Sequence, residues 1–251
     1  MKKIVALSVL SFGLLGINQS RADILFSDNF NSYSPGNLVG QGSWAAHSGA
    51  GAKPVQVSGG AITLQQSAGS GEDVNHALGA TMGAGNTWYY SFDVTASGSS
   101  AEVYFAMFLQ GTSNFEGKLF VEPFAGSDFT LGISGSASTG PTTWGTGLSF
   151  GTDYRVVVAF NYDTKLASLW VNPTSEASPS VSNTGSFQDA ATAIAFRQAT
   201  PTSNSSQIID NLVVATSFQE ALTGVSVPES SSLALILIGG LAGLVALRRK
   251  R

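Results

Sequence analysis

Clusters of glycine and serine recur between short runs of β-branched and aromatic residues, and this pattern constrains the fold more than any other feature. The clusters lie at residues 58–60, 68–71, 97–100, 134–140 and 203–206. Each can form a turn, because glycine adopts left-handed backbone conformations and serine hydrogen-bonds neighbouring backbone groups. Many short strands joined by such turns are typical of a β-sandwich or barrel. The runs between the turns are too apolar and aromatic for the chain to stay unfolded.

The runs themselves predict eleven strands. They cover residues 24–26, 55–57, 61–64, 88–95, 101–109, 118–123, 129–134, 154–160, 166–171, 193–197 and 207–215. Alternation in the fifth run predicts one face made of Val103, Phe105, Met107 and Leu109. Helical patterning is scarce, and single turns are expected at residues 189–195 and 217–222. Without an internal repeat or a linker, residues 23–222 are predicted to form one all-β domain.

The first 22 residues have the three parts of a secretory signal peptide. Lys2 and Lys3 are followed by an apolar stretch, and Ser20 and Ala22 place small residues at the −3 and −1 positions of a cleavage site. An uncleaved membrane anchor is the weaker alternative, because the apolar run is short. We therefore expect export, with a mature chain that begins at Asp23.

The other end of the chain has an apolar segment followed by cations. Residues 233–247 have no polar side chain, and as a helix they span about 22 Å, somewhat less than a bilayer core of roughly 30 Å. The basic residues that follow are expected to stay on the cytoplasmic side and stop translocation. They are Arg248, Arg249, Lys250 and Arg251.

Together, Val227-Pro228-Glu229-Ser230, the apolar segment and the basic end resemble the PEP-CTERM sorting signal of Gram-negative bacteria. The resemblance covers residues 223–251, with the motif at 227–230, a transmembrane helix at 231–247 and the basic tail at 248–251. It implies recognition by an exosortase, an inner-membrane intermediate, and delivery to the cell surface or extracellular matrix. Proteins of this kind typically accompany exopolysaccharide and biofilm production.

Once both ends are removed, the body is strongly acidic. Residues 23–226 hold five basic and fifteen acidic residues, a net charge of −10, whereas the whole chain carries −4. Nucleic-acid binders need a basic face, so this balance argues against such a partner. The chain has no cysteine, which excludes disulfides and thiol chemistry.

The body resembles a concanavalin A-like lectin/glucanase sandwich of the LamG-like kind, a jelly roll. The matching segments are residues 26–30 with 36–44, residues 154–173, and the closing run at 208–214. The resemblance implies that the first and last strands lie side by side.

Glycoside hydrolases occur in the same fold, and retaining members place acids on one strand as Glu-x-Asp-x-x-Glu. This motif is absent from the sequence, as is a Gly-x-Ser-x-Gly elbow. Asp93 and Glu102 are isolated acids on predicted neighbouring strands, where they could approach. His47 and His76 are expected to be exposed in separate glycine-rich segments. A non-catalytic protein is therefore favoured.

The resemblance also implies a structural calcium ion on the convex face, and no other cofactor. The corresponding residues are Asp28, Asn29 and Asp210, with Asn29 in place of the usual acid. Calcium takes six to eight oxygen ligands. The alternative is that the two aspartates only hydrogen-bond backbone amides at strand ends or turns.

Carbohydrate binding needs exposed aromatic rings on the concave sheet. The candidates are Trp144, in a loop flanked by threonines, together with Trp44 and Tyr104. Trp88 and Trp170 are expected in the core. Three functions stay open: a non-enzymatic glycan-binding envelope or matrix protein, a secreted glycan-degrading enzyme with a diverged site, and a structural matrix component without a specific ligand.

Overall fold

The computed structural model describes residues 23–67, 69–98, 101–200 and 204–226. These residues form two β-sheets packed face to face as a jelly-roll β-sandwich. Every strand pairing within them is antiparallel.

The first sheet has nine strands. Eight lie in the order β14 (Val181–Thr184), β13 (Leu166–Val171), β12 (Asp153–Asn161), β7 (Thr87–Ser97), β16 (Ser205–Ala215), β5 (Ala61–Gln66), β4 (Gln56–Ser58) and β2 (Gly36–Asn37), and β1 (Ile24–Asp28) also pairs with β16.

The second sheet has seven strands. Their order is β11 (Thr142–Thr143), β10 (Thr130–Ser134), β9 (Asn114–Glu122), β8 (Val103–Gln110), β15 (Ala193–Phe196), β6 (Asp73–Ala77) and β3 (Ala45–Ser48).

The main core lies between the two sheets and is rich in aromatic rings. Tyr90 of β7 meets Phe108 of β8 edge to face with 5.1 Å between ring centroids, and Phe92 meets Phe105 at 6.1 Å. Because each pair joins strands of different sheets, these contacts hold the layers together. The Tyr90 hydroxyl donates to the carbonyl of Gly117 at 2.7 Å, so its buried polar end is satisfied. Trp88 is also in this core, as the sequence predicts.

The first and last strands lie side by side, which confirms the expectation drawn from the jelly-roll resemblance. Ile24 pairs with Ala215, and Asp28 pairs with Leu212. Within β16 the pairing to β7 shifts between Asp210 and Val213, where Asn211 has a φ of 52°. The bulge lets the second half of β16 pair with β1 after its first half has paired with β5.

The predicted alternation in β8 is wrong over its second half. Pairing with β9 shifts between Tyr104 and Ala106 and again between Ala106 and Phe108. Val103 and Phe105 therefore face the main core, whereas Met107 joins Tyr104 on the other side of the sheet. A bulge adds a residue to one strand and exchanges the faces of everything beyond it.

A short helix, α1 (Phe218–Thr223), covers the outer side of the nine-stranded sheet. Ser217 caps it by accepting from the backbone NH of Glu220 at 3.3 Å, and Gly224 ends it in the left-handed conformation with a φ of 65°. Phe218 packs edge to face on Trp170 at 5.1 Å. The turn predicted at 217–222 is thus a helix, whereas the one predicted at 189–195 is wrong in its second half, which is β15.

All eleven predicted strands have counterparts, but five short strands have none among the predictions: β2, β3, β6, β11 and β14. Across the described part of the chain, we find no helix with the length and apolar character needed to cross a membrane. The predicted signal peptide, the motif at 227–230, the helix at 231–247 and the basic tail at 248–251 lie outside the described residues.

Candidate functional site

The outer face of the seven-stranded sheet has its own apolar cluster, separate from the main core. The members are side chains from β8, β9 and β15, and we call them the outer-face cluster: Tyr104, Met107, Leu109, Phe115, Phe120, Ala193 and Ala195. Tyr104 packs on Phe120 with 5.5 Å between ring centroids and on Phe115 at 6.0 Å. The cluster is thus a continuous aromatic and aliphatic layer on this face of the sheet.

Two cations lie against the ring of Tyr104. The Arg197 guanidinium carbon is 4.3 Å from the ring centroid, and the Lys118 ammonium nitrogen is 4.9 Å from it. Cations over the face of an aromatic ring are attracted by its quadrupole, with about 0.5–2 kcal/mol per contact. The tyrosine therefore fixes both cations on one small area of the sheet.

Lys118 is held deep in this layer. It is 3 % exposed, and its ammonium donates to the carbonyl of Ser136 at 2.7 Å and to the hydroxyl of Ser138 at 3.1 Å. The pKa of Lys118 is lowered from 10.5 to about 8, and burial is the largest cause. The charge of Glu116 opposes this shift, and the charge of the nearby Arg197 adds to it. The like-charge effect of Arg197 shows that the two cations sense each other.

Arg197 differs from Lys118 because its side chain is partly exposed and has no hydrogen bond or ion pair with any described residue. Its backbone is firmly held. The NH donates to the carbonyl of Phe105 at 2.9 Å, and the carbonyl accepts from the side-chain amide of Gln66 at 2.9 Å. A firmly held backbone therefore presents a guanidinium whose donors have no acceptor among the described residues.

Buried polar atoms without hydrogen-bond partners occur near this layer, within the described part of the chain. These atoms are both ring nitrogens of His47, one carboxylate oxygen of Glu122 and the hydroxyl oxygen of Ser134. The His47 ring lies 6.2 Å from that of Phe115, and burial lowers its pKa, which favours the neutral imidazole. Ser134 pairs with Lys118 in the β9–β10 ladder and so belongs to the same face. Each unpartnered buried group costs about 1–3 kcal/mol.

Glu116 is two residues before Lys118 in the sequence, but its side chain faces the main core, since it pairs with the core residue Phe108. One carboxylate oxygen accepts from the backbone NH of Asp189 at 2.7 Å, and the other has no partner among the described residues. Burial raises its pKa from 4.5 to about 8. The Glu116 carboxyl therefore lies between the sheets and is not part of the surface.

The aromatic residues predicted to stack on sugars occupy other places. Trp44 is 2 % exposed and stacks on Phe196 at 5.7 Å, so its assignment as a glycan-binding ring is wrong. Trp144 is half-buried against the main core, and its backbone NH donates to the carbonyl of Leu131. Tyr104 lies on the outer face of the seven-stranded sheet, where it is 8 % exposed and in contact with Lys118 and Arg197. Tyr104 therefore supports the cations instead of offering a free face.

Sequence reasoning missed Lys118 and Arg197. The available signal was their rarity, because they are two of only five basic residues in the body. The histidines are half-buried, not exposed as expected; His76 stacks on Phe26 at 3.7 Å. Asp93 and Glu102 do not lie on neighbouring strands, because β7 and β8 belong to different sheets.

The residues predicted to bind calcium do not form a suitable ligand set. The Asp28 carboxylate accepts from the backbone NH of Phe30 at 2.8 Å, the Tyr33 hydroxyl at 2.5 Å and the Trp44 indole NH at 2.9 Å. The side-chain oxygen of Asn29 accepts from a backbone NH two residues later. The side-chain oxygens of Asp28 and Asn29 thus accept hydrogen bonds from protein donors. Within the described ranges, no group of three or more histidine or acidic residues could hold a metal ion. Asp28 therefore has the role expected as the alternative to calcium binding, which is hydrogen bonding at a strand end.

Asp210 has a different environment from Asp28. It accepts from the backbone NH of Asn211 at 2.6 Å and pairs with Asp93 across the β7–β16 ladder. Burial raises its pKa, the Asn211 hydrogen bond lowers it, and the charge of Asp93 raises it.

A cavity of 630 Å³ lies beside α1, on the side of the sandwich opposite the outer-face cluster. Its polar walls include Asp93, Arg155 and Asn211. The Arg155 guanidinium donates to Asp93 at 3.3 Å, to the carbonyl of Asn211 at 2.9 Å and to the carbonyl of Ala221 in α1 at 3.0 Å. These groups bind one another and attach α1 to the sheet. The cavity wall is therefore a structural network, unlike the unpartnered groups of the outer face.

In comparisons with known proteins, no family model and no curated protein matches the chain. Among solved structures, a sialidase superposes with a TM-score of 0.57 at 15 % identity over 79 % of this chain and 19 % of that one. A peanut lectin with a bound peptide matches with a TM-score of 0.48 at 15 % identity, over 76 % of this chain and 97 % of the lectin. The carbohydrate recognition domain of Emp47p matches at 0.47 and 12 % identity, over 80 % and 99 %.

The sialidase superposition shows that this chain has the same fold as a part of that protein. The chain spans about a fifth of the sialidase's length, and at 15 % identity the superposition shows the fold alone. Both lectin superpositions are weaker, and neither adds to this conclusion.

Proposed function

We propose that the protein is an exported, non-catalytic glycan-binding module whose ligand lies on the outer-face cluster. One observation supports this most strongly: the Arg197 guanidinium lies over Tyr104 and has no hydrogen bond or ion pair with a described residue. On the same face of the sheet, the buried hydroxyl of Ser134 also lacks a partner among the described residues. Sugar hydroxyls both donate and accept hydrogen bonds, so a glycan is suited to a surface of mixed donors and acceptors. Ligand sites commonly combine an apolar floor with a few convergent polar groups, which is the arrangement here.

The two ends of the sequence support the proposal of export and sorting. A signal peptide leads the body out of the cytoplasm, and the motif Val227-Pro228-Glu229 with its apolar segment and basic tail directs it to an exosortase. The module then serves at the cell surface or in an exopolysaccharide matrix.

A glycan array tests the binding function. Full-length protein in detergent is applied beside Arg197→Gln, which removes the guanidinium, and beside Lys165→Gln, which removes one positive charge elsewhere. We expect binding by the wild type and by Lys165→Gln, and a loss of at least tenfold in Arg197→Gln. If the folded wild type binds no glycan, the proposal is wrong.

A second function, glycan hydrolysis, has one specific observation in its favour. Val103 pairs with Val121, which places Glu102 and Glu122 one step further along the same two strands. Burial raises the pKa of Glu122, a hydrogen bond from Thr143 lowers it, and the charge of Glu102 raises it. Two carboxyl groups in unlike environments can divide the roles of acid and base.

Hydrolysis would require a carboxyl separation of about 5–5.5 Å for retention of configuration or about 6.5–9.5 Å for inversion. Release of reducing sugar from the glycans bound on the array distinguishes the two functions. The binding proposal predicts no release by the wild type. Release that disappears in Glu122→Gln would establish the enzyme instead.

A further inference from the structure

We propose that the ligand of the outer-face cluster is an acidic glycan, a polysaccharide with carboxylate groups such as uronate, and that Arg197 binds the carboxylate. This inference rests on the proposed glycan-binding function and adds the chemical class of the ligand.

The distribution of positive charge supports the inference first. The body holds five basic residues against fifteen acidic ones, yet two of the five, Lys118 and Arg197, lie within 5 Å of the centroid of one tyrosine ring. The long-range electrostatic field of a body with a net charge of −10 attracts cations and repels anions. A local pair of cations is therefore the feature that can favour an anionic group.

The remaining three cations are engaged elsewhere. Arg155 forms an ion pair with Asp93 and donates to backbone carbonyls. Lys165 donates to the carbonyl of Ser186, and Lys53 donates to the hydroxyl of Ser67. Within the described ranges, Arg197 is thus the basic residue whose side chain has neither a hydrogen bond nor an ion pair.

Guanidinium chemistry explains why a carboxylate suits this position. The group is planar, and its five N–H donors point outward in the plane, where two of them match the two oxygens of a carboxylate. The Arg197 guanidinium carbon lies 4.3 Å from the Tyr104 ring centroid, and the N–H donors form no hydrogen bond with a described residue. Lys118, held by hydrogen bonds to Ser136 and Ser138, adds a second positive charge 4.9 Å from the centroid of the same ring. An anion placed here reduces the repulsion between the two cations.

The protein's own acids near Arg197 do not fill the role of that anion. Asp73 senses the charge of Arg197, but one of its oxygens accepts from the backbone NH of Gln198 at 2.8 Å, and it forms no ion pair with Arg197 within 4.0 Å. On β9, Glu122 accepts from the hydroxyl of Thr143 at 3.3 Å. Among the described residues, no acid therefore occupies the place that the proposal gives to the carboxylate of the ligand.

Matched polysaccharides test the inference. Binding of full-length protein in detergent is measured by biolayer interferometry to polygalacturonate, alginate and hyaluronan, and to each polymer after chemical reduction of its carboxyl groups. We expect at least tenfold tighter binding to an acidic polymer than to its reduced form. Arg197→Gln should lose at least tenfold on the acidic form and little on the reduced form, whereas Lys165→Gln should behave as the wild type. Melting temperatures check that each variant is folded.

The possible failures can be told apart. Equal binding to acidic and reduced forms, or binding on the glycan array only to neutral glycans, overturns the acidic-glycan inference and leaves the glycan-binding function intact. Acid-selective binding that survives in folded Arg197→Gln overturns the role of Arg197. Absence of binding to every polymer and to the array overturns both the inference and the proposed function.

Discussion

Lys118 offers a quantitative test because the fold holds its charge in a costly position. It is 3 % exposed, and burial lowers its pKa from 10.5 to about 8. At 1.36 kcal/mol per pKa unit, this difference corresponds to about 3.4 kcal/mol of preference for the neutral amine. Below pH 8 the Lys118 ammonium is therefore charged in the folded protein, although it is more stable in water than at this buried position.

The variant Lys118→Met retains a side chain of similar length and removes the charge. It also removes the hydrogen bonds to Ser136 and Ser138, each worth about 1 kcal/mol. The net expectation is that the variant is about 1–2 kcal/mol more stable than the wild type at pH 7, measured by urea denaturation. Binding to acidic glycans should weaken, because one of the two cations is gone.

The pH dependence has a definite sign. The pKa of Lys118 is lower in the folded state, so between pH 8 and 10.5 the unfolded state binds more protons and wild-type stability rises with pH. Relative to Lys118→Met, the wild type should gain about 3 kcal/mol across this window and become the more stable protein at its upper end. Lys165→Met is the matched control and should retain the wild-type slope.

Two results are incompatible with a destabilising charge on Lys118. The first is a folded Lys118→Met variant that is less stable than the wild type by more than 1 kcal/mol at every pH. The second is a stability difference that stays constant between pH 7 and 10.5. Either would mean that the charge of Lys118 is not stored at a cost in the folded protein.

Further predictions concern the interior and the opposite face. Glu116→Gln cannot ionise, so wild-type stability should fall relative to the variant by up to about 5 kcal/mol as pH rises from 4.5 to 8, measured by urea denaturation; a constant difference would contradict the raised pKa of Glu116. Trp44→Phe removes the indole donor to Asp28 and should cost about 1–3 kcal/mol, seen as a lower melting temperature; an unchanged temperature would show that the hydrogen bond contributes nothing. A chelator should leave the wild-type melting temperature unchanged, since protein donors occupy the carboxylate of Asp28, and a clear decrease would restore the calcium site. Arg155→Gln should release α1 and speed its cleavage in limited proteolysis, whereas unchanged cleavage would show that α1 is held by its apolar contacts alone.

The sequence predicted the long strands because their apolar and aromatic runs carry a local signal. Trp88 lies in the main core, as expected, together with Phe92 of the same strand. Short strands at or near the sheet edges have no such signal: β11 is the pair Thr142–Thr143, and β2 is Gly36–Asn37. They exist because neighbouring strands offer them hydrogen bonds, which depends on tertiary structure.

The candidate site was less predictable, for two physical reasons. The bulges around Ala106 reverse the faces of the following residues in β8, and no residue type in that run signals them. The second reason is distance along the chain. Lys118 on β9 and Arg197 after β15 meet only because both strands flank β8 in the sheet. Trp44 was misassigned because its hydrogen bond to Asp28, sixteen residues away, depends on the folding of the intervening loop.

The position of a bound glycan decides whether the outer-face cluster is the binding site. A crystal structure with an oligosaccharide of the tightest-binding polymer should show the sugar on the outer-face cluster, with a carboxylate within hydrogen-bond distance of the Arg197 guanidinium. A sugar in the 630 Å³ cavity beside Arg155 on the opposite side of the sandwich, with the outer-face cluster unoccupied, would show that the ligand binds elsewhere.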